Sequence, residues 1–419
     1  MDHFAYQQGV LCAEDVPLTA IAEAVGTPCY VYSRATLTRH ARVFREALAV
    51  LPRTQLAFAM KSNPNLAVLK LLAAEGYGAD VVSAGEMDRA LAAGMPAAAI
   101  VFSGVGKTTE EMRRALAVGI GQFNLESEEE GIELAALAAA MGKRAACALR
   151  VNPDVDAGTH GKISTGKAEN KFGVPYDRAA GYYARLAALP GLEMRGLAVH
   201  IGSQLAHLEP LAAAFTRLGE LMRAIRAAGH RVTHMDLGGG LGVPYKVGEV
   251  FPSPAEYAAM IARVTADWDA TLMFEPGRVI TGNSGVLLTR VVRVKPGVAT
   301  PFVIVDAAMN DLARPAMYDA WHDFVAVTPS GERMTANIVG PICESSDTFA
   351  MGRDIDVVAA GDLAVFRTAG AYGATMANTY NSRALVPEVM VDGDKWAIVA
   401  RRIDPATILA AERVPVWLQ

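Results

Sequence analysis

From about residue 35 to about residue 275, short apolar, β-prone runs alternate with Ala- and Leu-rich stretches whose apolar positions recur at helical spacing. The runs are QLAFAMK, GADVVS, AAIVFSG, GQFNLES, ACALRVNP, EMRGLAVH, VTHMDLGGG and TLMFEPG. Each but the last is followed by a helix-like stretch such as NLAVLKLLAAEG or GEMDRALAAGM. Eight strands in this order predict an α/β fold, a parallel (β/α)8 barrel of the TIM type. A doubly wound open sheet is the competing architecture, since alternation alone does not separate the two, and the count of eight favours the barrel.

Beyond residue 280 the texture changes to Val- and Ile-rich runs separated by turn residues, among them GVLLTRVVRVK, FVIVDAA, MTANIVGPICE and WAIVARRI. This half predicts a C-terminal all-β domain, sandwich- or barrel-like. The N-terminal segment ends in the strand-like TPCYVYS and is expected to pack with that domain. The expected division is 1–34 for this segment, 35–278 for the barrel and 279–419 for the β domain. The EEE at 128–130 reads as a solvated helix start.

Composition narrows the class. With 419 residues, 52% hydrophobic and 20% charged, the chain suits two domains and not a disordered polymer. A net charge of -5 with scattered Lys and Arg gives no basic face for nucleic acid or an anionic membrane. The start, MDHFAYQQGVLCAEDVP, has no basic export signal, and no apolar window matches a bilayer, so a cytoplasmic protein is expected. Cys12, Cys29, Cys147 and Cys343 lie far apart without a CxxC pair, which indicates neither a zinc site nor a disulfide framework.

In such a barrel, chemistry gathers at the C-terminal ends of the strands. The first strand offers Lys61, Ser62 and Asn63 there, the second Asp80 and Ser83, the fifth Arg150 and Asn152, and the sixth His200 with IGSQ, which holds Ser203. The seventh offers DLGGGLG and the eighth EPGR. Gly238, Gly239 and Gly240 stand where barrels commonly hold a phosphate on backbone N–H groups, although a ligand-free tight turn has the same composition. Arg278 suits a second anion contact or a bidentate carboxylate. Glu275 either pairs with Arg278 or faces a ring nitrogen, and His200 alone reads as a core histidine. Together, a strand-end lysine, a phosphate-type loop, an acid and a stackable imidazole are the parts of a pyridoxal phosphate site. There the lysine forms a Schiff base and the acid keeps the pyridine nitrogen protonated.

The blocks GTPCYVYS, FAMKSNPN, GADVVSAGE, HGKISTGKAENKFG, HIGSQ, DLGGGLG, FEPGR, MNDLARPAMYDAWH, VGPICESSD and GAYGATMANTYNSR occur in one order nearly end to end. On these blocks the chain resembles the diaminopimelate decarboxylase family, in the alanine-racemase-like class of pyridoxal phosphate enzymes. The resemblance implies a homodimer with shared active sites. It makes Lys61 the Schiff-base lysine, His200 the ring-stacking histidine and Glu275 the partner of the pyridine nitrogen. Ser203, Gly238, Gly239, Gly240, Pro276, Gly277, Arg278 and Tyr372 are implied around pyridoxal 5'-phosphate. Arg278, Arg314, Tyr318, Glu344 and Tyr372 are implied substrate contacts, with Cys343 and Glu344 reaching in from the neighbouring subunit. Without the resemblance, Cys343 reads as a buried small hydrophobe, and Tyr318 and Tyr372 as packing aromatics.

The implied activity is decarboxylation of meso-2,6-diaminopimelate to L-lysine and carbon dioxide, the last step of lysine biosynthesis, with Cys343 or Lys61 returning the proton. A related decarboxylase acting on ornithine, arginine or carboxynorspermidine is the nearest alternative. An alanine-type racemase is disfavoured because Glu275, not a cation, stands for the ring nitrogen. A catalytically dead homologue that binds a partner enzyme is disfavoured because Lys61, the glycine loop and Cys343 are all present.

Overall fold

The structure, a computed structural model, describes residues 2–156 and 171–418; most of the block HGKISTGKAENKFG lies outside the described residues. The chain divides into two compact units, one of Thr38–Pro244 with Val250–Ile280 and one of Met1–Leu37, Tyr245–Glu249 and Thr281–Gln419.

The first unit holds the strands β1 (Thr54–Ala59), β2 (Gly78–Val81), β3 (Ile100–Phe102), β4 (Gln122–Leu125), β5 (Ala145–Asn152), β6 (Leu192–Ala198), β7 (His234–Asp236) and β8 (Thr271–Phe274). Neighbours in this order pair in parallel, and β8 returns to β1 through Leu272 opposite Thr54. The sheet therefore closes, which decides for the barrel over the open sheet. Local signals start its helices where the pattern predicts them. The Asn65 side chain accepts from the N–H of Ala67 ahead of helix Leu66–Ala74, and Thr108 and Ser253 form capping boxes ahead of Thr109–Val118 and Pro254–Val264.

Two local expectations change. The first strand ends at Ala59, and Met60–Ser62 form a 3-10 turn closed by the N–H of Asn63 on the carbonyl of Met60 at 3.0 Å. Lys61 thus stands on a tight turn, not on a strand tip. Of the EEE run, Glu130 is not solvated: its carboxylate accepts from Lys107 Nζ at 2.7 Å, and the Lys107 side chain is 0% exposed. A lysine needs such a partner to be buried charged.

Inside the barrel, side chains change character along the strands. Ala57, Val101 and Met273 form a buried apolar cluster. Two residues further on, where the side chain points the same way again, β3 is followed by Ser103 and β8 by Glu275, while β4 carries Asn124 two residues after Gln122. An apolar plug is thereby succeeded by a polar layer toward the C-terminal mouth.

The second unit is built on a nine-stranded mixed sheet. Cys29–Ser33 pairs antiparallel with Gly285–Lys295 and parallel with Glu388–Asp392, so the N-terminal segment enters this sheet as the pattern predicts. Val31, Val286, Leu288, Val365, Val389 and Val391 belong to one buried cluster beneath it. Phe302–Val305 and Arg333–Val339 also pair in parallel, so the sheet is mixed. The short segment Tyr245–Glu249 belongs to this unit, although it lies between barrel elements in sequence. Aromatic and cation contacts within the unit explain the assignment: Arg314 and His322 pack on the Tyr245 ring, and Lys246 lies 4.5 Å from the Trp321 ring.

Candidate active site

Lys61 projects from its turn toward the C-terminal mouth of the barrel. Its Nζ lies 3.4 Å from Asp80 Oδ2 at the end of β2, and Asp80 is 1% exposed. The other carboxylate oxygen, Asp80 Oδ1, is buried with no hydrogen-bond partner among the described residues. A buried carboxylate with one oxygen unsatisfied marks a place shaped for something more than the folded chain. The turn is fastened on its far side, where Ala59 N–H donates to the carbonyl of Pro276 at 3.1 Å. Gly277 keeps this approach close, because a Cβ would come 3.1 Å from Ala59 Cβ and from Ser62 Oγ and would press on both.

Opposite the lysine lies an acidic pair. Asn124 Nδ2 donates to Asp236 Oδ2 at 2.8 Å, to Ser103 Oγ at 3.1 Å and to Glu275 Oε1 at 3.4 Å. Asp236 and Glu275 are also hydrogen-bonded to each other, and both are buried. Burial, then the negative charges of Asp236 and Asp80, hold Glu275 protonated well above the usual carboxylate range; burial also raises Asp236. Burial outweighs the nearby Lys61 charge, so the hydrogen-bonded pair holds a proton between its two carboxyls. The salt bridge considered between Glu275 and Arg278 is replaced by this pair, while Arg278 Nη2 donates to Ser203 Oγ at 3.2 Å.

His200 lies just past β6 and lines the same cleft as Lys61, Arg150, Asp236 and Glu275. Its Nδ1 accepts the N–H of Gly239 at 3.2 Å, and burial with the nearby charges of Lys61 and Arg150 pushes its pKa well below the ordinary value. The imidazole is therefore neutral, with its proton on Nε2, and suited to lie against a ring.

The glycine loop is explained by close approach. A Cβ on Gly238 would sit 2.5 Å from the carbonyl of Val199, one on Gly239 2.3 Å from that of Glu275, and one on Gly240 2.6 Å from that of Gly202. The N–H groups of Gly238 and Gly239 are engaged by Asp236 Oδ1 and His200 Nδ1. The first two glycines thus help lock the acid and the imidazole in place.

In the second unit, Arg314 opens the short helix Arg314–Tyr318 and is 7% exposed, with Tyr318 at the other end of that helix. Cys343 and Glu344 lie exposed on a loop wrapped around Asp347, whose two oxygens accept from the N–H groups of Met309 and Ile342, each at 2.6 Å. Cys343 is thus not the buried hydrophobe that its apolar neighbours suggest. Hydrogen bonds from Ser346 and Tyr380 hold the Glu344 carboxyl below the usual range. Tyr372 has φ +56°, a left-handed conformation uncommon for a residue with a side chain.

The sequence reading left Asn124, Asp236, Ser103, Tyr245 and His322 without roles. The first three carry a legible signal, polar residues at alternate positions in strands otherwise apolar; the last two carry none, because only the fold brings them beside Arg314.

Residues 34–282 match the family model for the pyridoxal-dependent decarboxylase, pyridoxal binding domain. The chain is 53% identical over 418 residues to the diaminopimelate decarboxylase of Zymomonas mobilis, covering 99% of each. It superposes on the M. jannaschii diaminopimelate decarboxylase in complex with L-lysine with a TM-score of 0.96 at 33% identity, covering 100% of this chain and 99% of that one. On the Helicobacter pylori enzyme complexed with L-lysine the TM-score is 0.91 at 37% identity, covering 94% and 98%. A barrel with lysine, acid pair and glycine loop at one mouth, joined to end-to-end identity of this order, makes the chain a member of the diaminopimelate decarboxylase family, a carboxy-lyase among the pyridoxal-dependent decarboxylases.

Proposed function

We propose that the protein decarboxylates meso-2,6-diaminopimelate to L-lysine and carbon dioxide, the closing step of lysine biosynthesis, with pyridoxal 5'-phosphate held in the barrel mouth. The observation that carries this is the buried Asp236–Glu275 pair, held protonated by burial, facing the same cleft as Lys61 and a neutral His200. A protonated pyridine nitrogen would give the carboxyl pair a facing charge, the imidazole would suit the ring's face, and the glycine loop leaves room where any side chain would collide. When bound, the cofactor supplies an electron sink for the pair released as carbon dioxide leaves.

The chain's own groups do the rest. Lys61 Nζ is the amine that anchors the cofactor, with Asp80 Oδ2 orienting it at 3.4 Å. Glu275 holds the proton at the ring nitrogen, and Asp236, fixed by Asn124 and by the Gly238 N–H, keeps that carboxylate aimed. Tyr318 and Tyr372, with Arg278 and Arg314, take the substrate, the arginines binding its distal carboxylate and Glu344 its distal ammonium. Cys343, offered by the neighbouring subunit of a homodimer, returns the proton; its exposure on a loop stiffened by Asp347 supports that role. A distal carboxylate separates diaminopimelate from ornithine and lysine, because buried arginines left unpaired penalise substrates lacking it.

Borohydride reduction of the loaded protein, followed by peptide mapping, tests the anchor. The pyridoxyl label is expected on Lys61 and absent from Lys61→Ala; a label on another lysine overturns the assignment.

A further inference from the structure

Arg314 is held by two residues that the resemblance does not assign. Its Nη1 lies 2.9 Å from Nε2 of His322, eight residues on, and Nδ1 of His322 lies 2.9 Å from the carbonyl oxygen of Arg367. A guanidinium only donates, so His322 Nε2 accepts, and the single imidazole proton sits on Nδ1 and is given to the carbonyl. The ring is neutral and its tautomer fixed from both sides. Tyr245 completes the clamp. The Arg314 guanidinium carbon lies 4.6 Å from the centre of the Tyr245 ring, and that ring meets His322 edge-on at 5.3 Å and 86°. Arg314, His322 and Tyr245 are 7%, 2% and 7% exposed.

The chemistry of the clamp distinguishes it from an ordinary structural pair. A carboxylate in the place of His322 would fix the guanidinium and also cancel its charge. A neutral imidazole fixes it without adding a negative charge, and an aromatic face favours the cation without supplying a proton acceptor. Arginine loses rotamer entropy when ordered. A guanidinium aimed in advance spares the substrate that cost.

We propose that His322 and Tyr245 are positioning residues that aim Arg314 at the substrate's distal carboxylate and thereby set the preference for a substrate that carries one. This rests on the assignment of Arg314 to that carboxylate under the proposed function. The clamp acts in binding and leaves the bond-breaking step to the residues of the barrel mouth.

The test is a double-mutant cycle on the loaded enzyme with meso-diaminopimelate, comparing His322→Met, which keeps bulk but cannot accept from nitrogen as imidazole does, with His322→Gln, which can. His322→Met is expected to raise KM about 10- to 100-fold, the scale of a misaimed binding group, with kcat changed less than about threefold and bound cofactor unchanged. His322→Gln should recover most of the loss. Combined with Arg314→Ala, His322→Met should add nothing, since the arginine it aims is gone. Loss of kcat at unchanged KM, or full additivity with Arg314→Ala, would overturn the proposal. Should His322→Met not accumulate as folded protein, Tyr245→Leu against His322→Gln makes the same comparison, with a KM effect expected from the first and not the second. If Arg314→Ala itself leaves KM unmoved, the substrate assignment fails, and that outcome is distinct from the failure of the clamp.

Discussion

Glu275→Gln isolates the energetics of the buried acid pair. In the cofactor-free protein, burial and the charges of Asp236 and Asp80 raise the Glu275 pKa well above its ordinary value. A carboxyl whose folded pKa lies above its unfolded one keeps its proton in the folded state after the unfolded chain has lost it. Stability from this group is then fully present below the unfolded value, about 4.3, and falls as pH rises toward the raised folded value. The slope is about 1.4 kcal/mol per pH unit for one retained proton, over the range where the folded carboxyl keeps its proton and the unfolded one has lost it. Glutamine has no proton to lose, so the variant should lack that much of the slope. Urea titration of both cofactor-free proteins across this range, followed by far-ultraviolet circular dichroism, measures the difference. Other shifted groups, Asp311 near 7 among them, are common to both proteins and cancel, whereas Asp236, hydrogen-bonded to Glu275, shifts with it and belongs to the measured difference. Wild type should lose stability relative to Glu275→Gln as pH rises, and adding pyridoxal phosphate to wild type should flatten the difference. Parallel curves for the two proteins would refute a proton held by Glu275.

Gly239→Ala puts a methyl group 2.3 Å from the Glu275 carbonyl; the backbone must shift, at about 1–3 kcal/mol, and retained cofactor measured by absorbance should fall. Cys343→Ala should lower turnover by about 100-fold or more, in the range for a lost general acid, with cofactor content unchanged; equal loss of both would count against proton delivery. Asp347→Ala strands the N–H groups of Met309 and Ile342 and should mimic Cys343→Ala in turnover, whereas Asp347→Asn, which keeps an acceptor oxygen, should lose less.

The barrel was legible because short β-prone runs alternate with helical stretches and number eight, while its closure rests on the pairing of β8 with β1. Lys61, His200 and Glu275 were legible because polar residues past an apolar run stand out. The turn at Met60–Ser62 was not, because the sequence AMK continues the apolar run and only the hydrogen bond from Asn63 shows where the strand stops. The pairing of Asp236 with Glu275 joins β7 to the end of β8 through Asn124 of β4, three separate segments that no local pattern relates. His322 gave no signal for the same reason, since its partners are side chains and a carbonyl from distant turns of the chain. Cys343 looked like a core residue because Pro341 and Ile342 precede it, yet Ile342 alone turns inward. The glycine loop was recognised by composition, but its cause is contact with His200 and Glu275 more than a row of free N–H groups.

The central claim is the substrate, and carbon dioxide release tests it most directly. Purified, cofactor-loaded protein should be offered meso-diaminopimelate, ornithine, lysine and arginine side by side, with L-lysine quantified in the first case. The account predicts release from meso-diaminopimelate with one L-lysine formed per carbon dioxide, and negligible release from the three amino acids that lack a distal carboxylate. Comparable release from ornithine, arginine or lysine, or none from meso-diaminopimelate by fully loaded protein, would contradict it.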